Sequence, residues 1–123
     1  MLQVHSMQRD PKTWVLVIDG AVDHSTVPQL REAIDTLLAK GLNRLVIDLE
    51  RVAFIASAGF GCLLNVREAV RERGGELVFA GTNARVREIF DLLGITSLLR
   101  FAPDVGGALA QLEVASPQGR AIA

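Results

Sequence analysis

The feature that most constrains this chain is its alternation of short β-type runs with segments of helical period, the order expected of an α/β domain. Trp14-Val15-Leu16-Val17-Ile18-Asp19-Gly20 is rich in β-branched residues and nearly continuous in apolarity, and reads as a strand. Leu2 to Met7 reads as an earlier strand. The short turn Asp10-Pro11-Lys12-Thr13 between them would make the pair antiparallel. Next, Val27, Leu30, Ile34, Leu37 and Leu38 recur at spacings of three and four, the mark of a helix with one buried face. Ser25 or Thr26 can cap its start, Pro28 is tolerated in its first turn, and Gly41 is placed to end it.

Arg44-Leu45-Val46-Ile47-Asp48-Leu49 predicts a third strand, parallel to the second because a helix intervenes. After the unusual stretch Ala53–Gly61, a second helix runs to about Arg73, where Gly74-Gly75 stops it. Glu76–Ala80 predicts a fourth strand. Gly81-Thr82-Asn83 then leads into a third helix with Val86, Ile89, Phe90 and Leu93 on its apolar face, ended by Gly94. Leu98 to Phe101 predicts a short edge strand. A last helix from Pro103-Asp104 to about Val114 carries Val105, Ala108, Leu109 and Leu112 on one side. The expectation is one domain over residues 1–115 with a flexible tail over 116–123.

Charge excludes some functions. Thirteen basic and 14 acidic residues give a formal charge of −1, so no broad basic footprint for nucleic acid or anionic membrane is expected. The start, Met1 to Asp10, lacks the basic-then-apolar pattern of a signal peptide, and no apolar run approaches the ~18 residues of a membrane span. The protein is expected in the cytoplasm. Cys62 is the sole cysteine; its neighbours Gly61, Leu63 and Leu64 mark it as a packed, inert thiol. His5 and His24 are far apart, and neither metal nor cofactor is expected.

The segment with chemical content is Phe54-Ile55-Ala56-Ser57-Ala58-Gly59-Phe60-Gly61. Its small residues let another backbone or a ligand come close. Ser57 falls where the second helix should start, and its hydroxyl can accept from a first-turn N–H as a plain cap. The same place favours an anion, because unpaired N–H groups and the helix dipole point outward there. A phosphate on Ser57 would add about −1.5 to −2 charges to a small neutral surface, and a partner docked on it would have to bury them. Other chemistries fit less well. The segment has neither G-x-x-x-x-G-K-[ST] nor G-x-G-x-x-G, which argues against phosphate-loop nucleotide binding. Ile55 occupies the first glycine position of the G-x-S-x-G elbow, and a serine hydrolase would need His24 and Asp23 to complete a triad with Ser57. Farther along the helix, Phe60 or Leu64 is a candidate for an exposed apolar docking patch.

Four runs in order resemble one family. Gly20-Ala21-Val22-Asp23-His24-Ser25-Thr26 is similar to the G-x-[LV]-D-x-x-[TS] signature that follows the second strand of STAS domains. Leu45–Leu49 resembles their central strand, and Phe54–Gly61 their F-[IM]-D-S-[ST]-G-[LI]-G or [IV]-S-S-A-G-L motif. Asn83–Ile95 resembles their closing N-x-x-V-x-x-[IL]-[FL]-x-x-x-G-[IL] segment. The resemblance spans about residues 3–113.

It implies a STAS fold: a mixed sheet of four to five strands with about four helices packed on it. It also implies a non-enzymatic anti-sigma factor antagonist that switches partners. The free form binds an anti-sigma factor that is also a serine kinase, phosphorylation at the start of the second helix ends the complex, and a cognate phosphatase restores it. The alternative within the family is an accessory module of a stressosome-like, transporter or lipid-trafficking complex. In the D-S-[ST]-G version the acceptor directly precedes the glycine; here that residue is Ala58, and Ala56 replaces the aspartate. The S-S-A-G-L version shares the alanine, which leaves Ser57 as the acceptor. The expected partner surface is Asp23, His24, Ser25, Ala56, Ser57, Ala58, Gly59 and Phe60, on a monomer or weak dimer.

Overall fold

The computed structural model describes residues 2–115. The expected tail, 116–123, lies outside the described residues. Strands β1 (Leu2–Asp10) and β2 (Thr13–Val22) are followed by α1 (Val27–Ala39), β3 (Arg44–Ile55), α2 (Ser57–Glu72), β4 (Glu76–Ala80) and α3 (Ala84–Leu92). A 3₁₀ turn (Thr96–Leu98), β5 (Phe101–Ala102) and α4 (Val105–Ala115) complete the order. The strands lie in the sheet in sequence order, β1 antiparallel to β2 and every other neighbour parallel. The expectation of a mixed sheet of four to five strands with about four helices is met, with five strands and four α-helices among the described residues.

The near-continuous apolarity of the central strands has a direct cause. Trp14 pairs with Leu45 and Leu45 with Leu77; Leu16 pairs with Ile47 and Ile47 with Phe79. These residues face α1, α2 and α3 in the larger core. The intervening row, Val15–Val46–Val78, faces the opposite side, where Ala108 and Leu112 of α4 cover it. Strands covered on both faces must be apolar at every position, whereas half-covered ones alternate. In β1 only Leu2 is fully buried, and most of its remaining residues are exposed, as befits an edge.

Several expected boundaries move. The third strand, expected to end at Leu49, runs on to Ile55, and β2 continues to Val22. Beyond Ala80 there is no β4 to pair with, so this stretch of β3 pairs only with β2. Its register also shifts between Val17 and Asp19 and again between Gly20 and Ala21. The shifts destroy period-two alternation: Val52 and Ile55 are buried, whereas Arg51, Ala53 and Phe54 are exposed. The edge strand expected at Leu98–Phe101 shrinks to Phe101–Ala102, because a 3₁₀ turn takes Leu98 and leaves it exposed.

Cys62 is buried in α2 and free, and desolvation pushes its thiol pKa up. Both burial and the raised pKa suppress the reactive thiolate. Native protein should therefore react with a disulfide reagent at least about 100-fold more slowly than urea-unfolded protein, since labelling requires an opening event. Comparable rates in the two states would contradict this packing.

Candidate functional site at the start of the second helix

The site is built where two paired strands end. Val22 of β2 is the partner of Ile55 of β3, and the chain leaves each into a different segment. From Val22 it enters the loop Asp23–Thr26; from Ile55 it turns straight into α2. Ala56 N donates to Val22 O at 2.8 Å, which ties the two exits together. Gly59 then brings the first turn of α2 against them. A Cβ at Gly59 would lie 2.7 Å from Val22 Cγ1, 2.8 Å from Ile55 Cγ2 and 2.9 Å from Val22 O. Small residues here do permit close approach, and at Gly59 the approaching backbone is the protein's own.

Ser57 is not the cap. The cap position belongs to Ala56, in extended conformation and without a side-chain capping bond, and Ser57 is the first helical residue. The first N–H groups of a helix lack intrahelical partners, and an alanine cap offers them nothing. Ser57 and Ala58 are exposed, and Ala56 is half-buried. The tip is therefore a small, neutral, solvent-facing surface with donors and a hydroxyl.

The neighbouring loop is held by Asp23. Its Oδ1 accepts from Ser25 N (2.9 Å), Ser25 Oγ (2.7 Å) and Thr26 N (3.1 Å). Thr26 occupies the cap position of α1, but its hydroxyl points backward, accepting from Asp23 N and donating to Ala21 O, both at 2.9 Å. Asp23 is thus a turn residue that sets the loop's shape, and it leaves His24 and Ser25 exposed. The hydrogen bond from the Ser25 hydroxyl lowers its carboxyl pKa most, outweighing the opposing effect of desolvation; backbone bonds from Ser25 and Thr26 and the Thr26 hydroxyl add to the lowering. No hydrogen bond joins His24 to Ser57 among the described residues, so the contact a hydrolase triad requires is not made.

Phe60 corrects an expectation. It is 4 % exposed and packs edge-to-face on Phe90, with ring centroids 4.8 Å apart. Leu64 also packs against the core. Neither makes an apolar patch at the surface. Gly59 is buried too, so it and Phe60 shape the tip from beneath. The large apolar side chain that is exposed beside the tip is Phe54, at 49 %. Sequence reasoning missed it as a surface residue, because the register shifts in β3 hide which face each side chain takes.

The sequence matches the STAS domain family over residues 5–108. It is 32 % identical over 104 residues to the Bordetella bronchiseptica protein named as the anti-sigma factor antagonist BtrV, covering 85 % of this chain and 90 % of that one. It is 26 % identical to the anti-sigma-B factor antagonist of Listeria monocytogenes, covering 80 % and 86 %. The fold superposes on an anti-sigma factor antagonist from Mycobacterium paratuberculosis with a TM-score of 0.82, at 25 % identity and with 91 % and 94 % coverage. The chain belongs to the STAS domain family.

Two outcomes follow from this geometry. Gly59→Ala should lower unfolding free energy by roughly 1–3 kcal/mol in urea titrations, the usual cost of forcing a methyl into packed space, while Ala58→Gly costs far less. The lowered Asp23 pKa means the loop's hydrogen bonds are fully present above the unfolded value of about 3.9 and are lost as pH falls through the lower folded value. An NMR titration should find the Ser25 and Thr26 amides moving together with that lower midpoint; a midpoint at or above the usual carboxylate value would contradict the loop.

Proposed function

We propose that this STAS domain is an anti-sigma factor antagonist that docks on its partner through the tip of α2 and the Asp23–Thr26 loop, and that phosphorylation of Ser57 ends the complex. The observation that carries the proposal is the exposure of Ser57 as the first residue of α2, flanked by alanines and uncapped. A kinase can reach such a hydroxyl without opening the fold. The names of the relatives, antagonists of anti-sigma factors, support a partner of that class.

The physics of the switch is local. The unmodified tip presents Ala56, Ser57 and Ala58, with Phe54 nearby on β3 as an apolar anchor. Such a surface carries no charge to desolvate, its free N–H groups can be met by acceptors on the partner, and the anchor gains from burial. A phosphate on Ser57 would be favoured in the free protein by the unpaired N–H groups of the helix start. In the complex the same group must be buried against a surface shaped for a hydroxyl, at the expense of its hydration. The modification therefore stabilises the free form and destabilises the bound one. No refolding is needed, and a phosphatase acting on the exposed tip reverses it. Asp23 serves indirectly by fixing the loop that presents His24 and Ser25.

The test incubates the protein with ATP and candidate anti-sigma factors of the serine-kinase type. Phosphate should map to Ser57 by mass spectrometry and be absent from Ser57→Ala. Ser57→Asp should weaken binding at least tenfold, about 1.4 kcal/mol, while Ser57→Ala binds like wild type. Phosphate on another residue, or undiminished binding by Ser57→Asp, would falsify the switch. Phe54→Ser should weaken the complex without changing the fold's stability by more than about 0.5 kcal/mol, as expected of a surface position.

A further inference from the structure

The two edges of the sheet are finished differently. β5 is two residues long, with a 3₁₀ turn shortly before it and Pro103 directly after. Arg100 O and Ala102 O accept from Phe79 N and Gly81 N, so the Phe101 carbonyl between them points outward. Gln111 Nε2 of α4 donates to that carbonyl at 2.9 Å. Short length, a proline and a side-chain cap leave little template there for another strand.

β1, the opposite terminal strand, is left open. It runs nine residues, and Leu2 to Gln8 pair with β2 without a break. It contains no proline and no lysine, and its charged residues, Arg9 and Asp10, stand at its far end. The one register shift, between Gln8 and Asp10, falls there too. Among the described residues a single side-chain bond caps its backbone, from Gln29 Nε2 to Leu2 O at 3.0 Å. Gln3 and every residue from His5 to Asp10 are exposed, Met7 at 51 %. Alternate N–H and C=O groups along the free side therefore have no strand to bond.

Charge selects the occupant. Leu2 to Gln8 carry no formal charge at neutral pH, which gives a charged foreign strand nothing to pair with. A second copy of β1 meets no conflict. Two such strands pair antiparallel about a two-fold axis perpendicular to the sheet, which keeps side chains of one face together. Ser6 is the middle residue of Leu2–Asp10, so pairing centred on it engages the whole strand. Each Ser6 then stands opposite its symmetry mate, and His5 opposite Met7. Arg9 falls opposite Gln3 and Asp10 opposite Leu2, so no like charges are set face to face. The strand spans about 30 Å and is one strand wide, so the contact is smaller than the ~1,200 Å² at which standard interfaces begin. Such a dimer is weak and forms only at high concentration. We propose that β1 is a self-association edge, through which two copies of this chain join their sheets into one. The proposal is independent of the switch at Ser57.

The experiment is sedimentation equilibrium of the full chain from about 10 µM to about 1 mM, with amide hydrogen exchange read at both ends of that range. Dimers should form with a dissociation constant on the order of 100 µM. At high concentration every second amide between Gln3 and Gln8 should gain protection, since only alternate N–H groups face the free edge. Ser6→Lys sets two cations side by side at the axis and should weaken association at least about tenfold. Met7→Lys should weaken it at least about threefold. Both positions are exposed, so the far-UV circular dichroism of each variant at low concentration should match wild type. An equal mixture of Ser6→Lys and Ser6→Glu should associate more tightly than either variant alone, because opposite charges then meet at the axis. A monomer throughout the range overturns the proposal. So does association that both lysine variants leave undiminished, or protection that rises without the alternation, since either places the contact on another surface. A lysine–glutamate mixture no tighter than its components overturns pairing about Ser6.

Discussion

Double-sided burial of three parallel strands is the constraint on which everything else in this protein rests. One row of large residues, Trp14, Leu45 and Leu77, and a second, Leu16, Ile47 and Phe79, fill the side under α1, α2 and α3. A row of valines, Val15, Val46 and Val78, fills the side under α4. Because the side-chain period of a strand is two, a one-residue slip of any strand would exchange these rows and place valines where aromatic and leucine volume is needed. Register is thereby pinned, and with it the heights at which β2 and β3 end. The exposed tip of α2 is a consequence of those heights.

The sheet narrows stepwise toward the site. β3 loses β4 past Ala80 and β2 loses β1 past Gly20, so the last residues of β2 and β3 pair only with each other and carry the Asp23 loop and the root of α2 away from the thick part of the fold. The side chain of Asn83 steadies this extension: its Oδ1 caps α3 through Val86 N at 2.8 Å, and its Nδ2 donates to Val52 O at 3.3 Å. One residue thus links the start of α3 to the strand that delivers Ser57. The aromatic cluster beneath, Phe60 on Phe90 and Phe90 on Phe101, anchors α2 and α3 to each other and to β5. The tip is exposed but its foundation is rigid.

The core was legible in the sequence where burial was uniform. Strands buried on both faces show as apolar runs, and helices packed by one face show as three-and-four spacing; α1, α3, α4 and β2–β4 carry such signals, whereas α2 is marked by its bounds, from the small-residue run to Gly74-Gly75. Legibility failed where pairing was one-sided or bulged. The continuation of β3 through Glu50–Ile55 mixes charged, small and aromatic residues in an order that two register shifts scramble. For that reason Phe54 is not legible as a surface residue; Phe60 belongs to the part of α2 whose apolar residues span more than one face, so its packing on Phe90 does not show in the spacing. At the site, the motif located Ser57, but the step from cap to first helical residue depends on where β3 ends, which only the pairing of Val22 with Ile55 sets.

The close contact at Gly59 divides the tip into two kinds of position. Gly59 has no room to vary, because any side chain there meets the backbone of Val22. Ala58 and Ser57, one and two residues earlier, point outward and carry none of that burden. Under the docking role proposed for the tip, duplicated copies of such a gene can drift apart at the outward positions and acquire separate partners, while the backbone beneath them stays unchanged. Insulation between parallel signalling circuits in one cell would then need only a handful of surface substitutions, with folding left untouched.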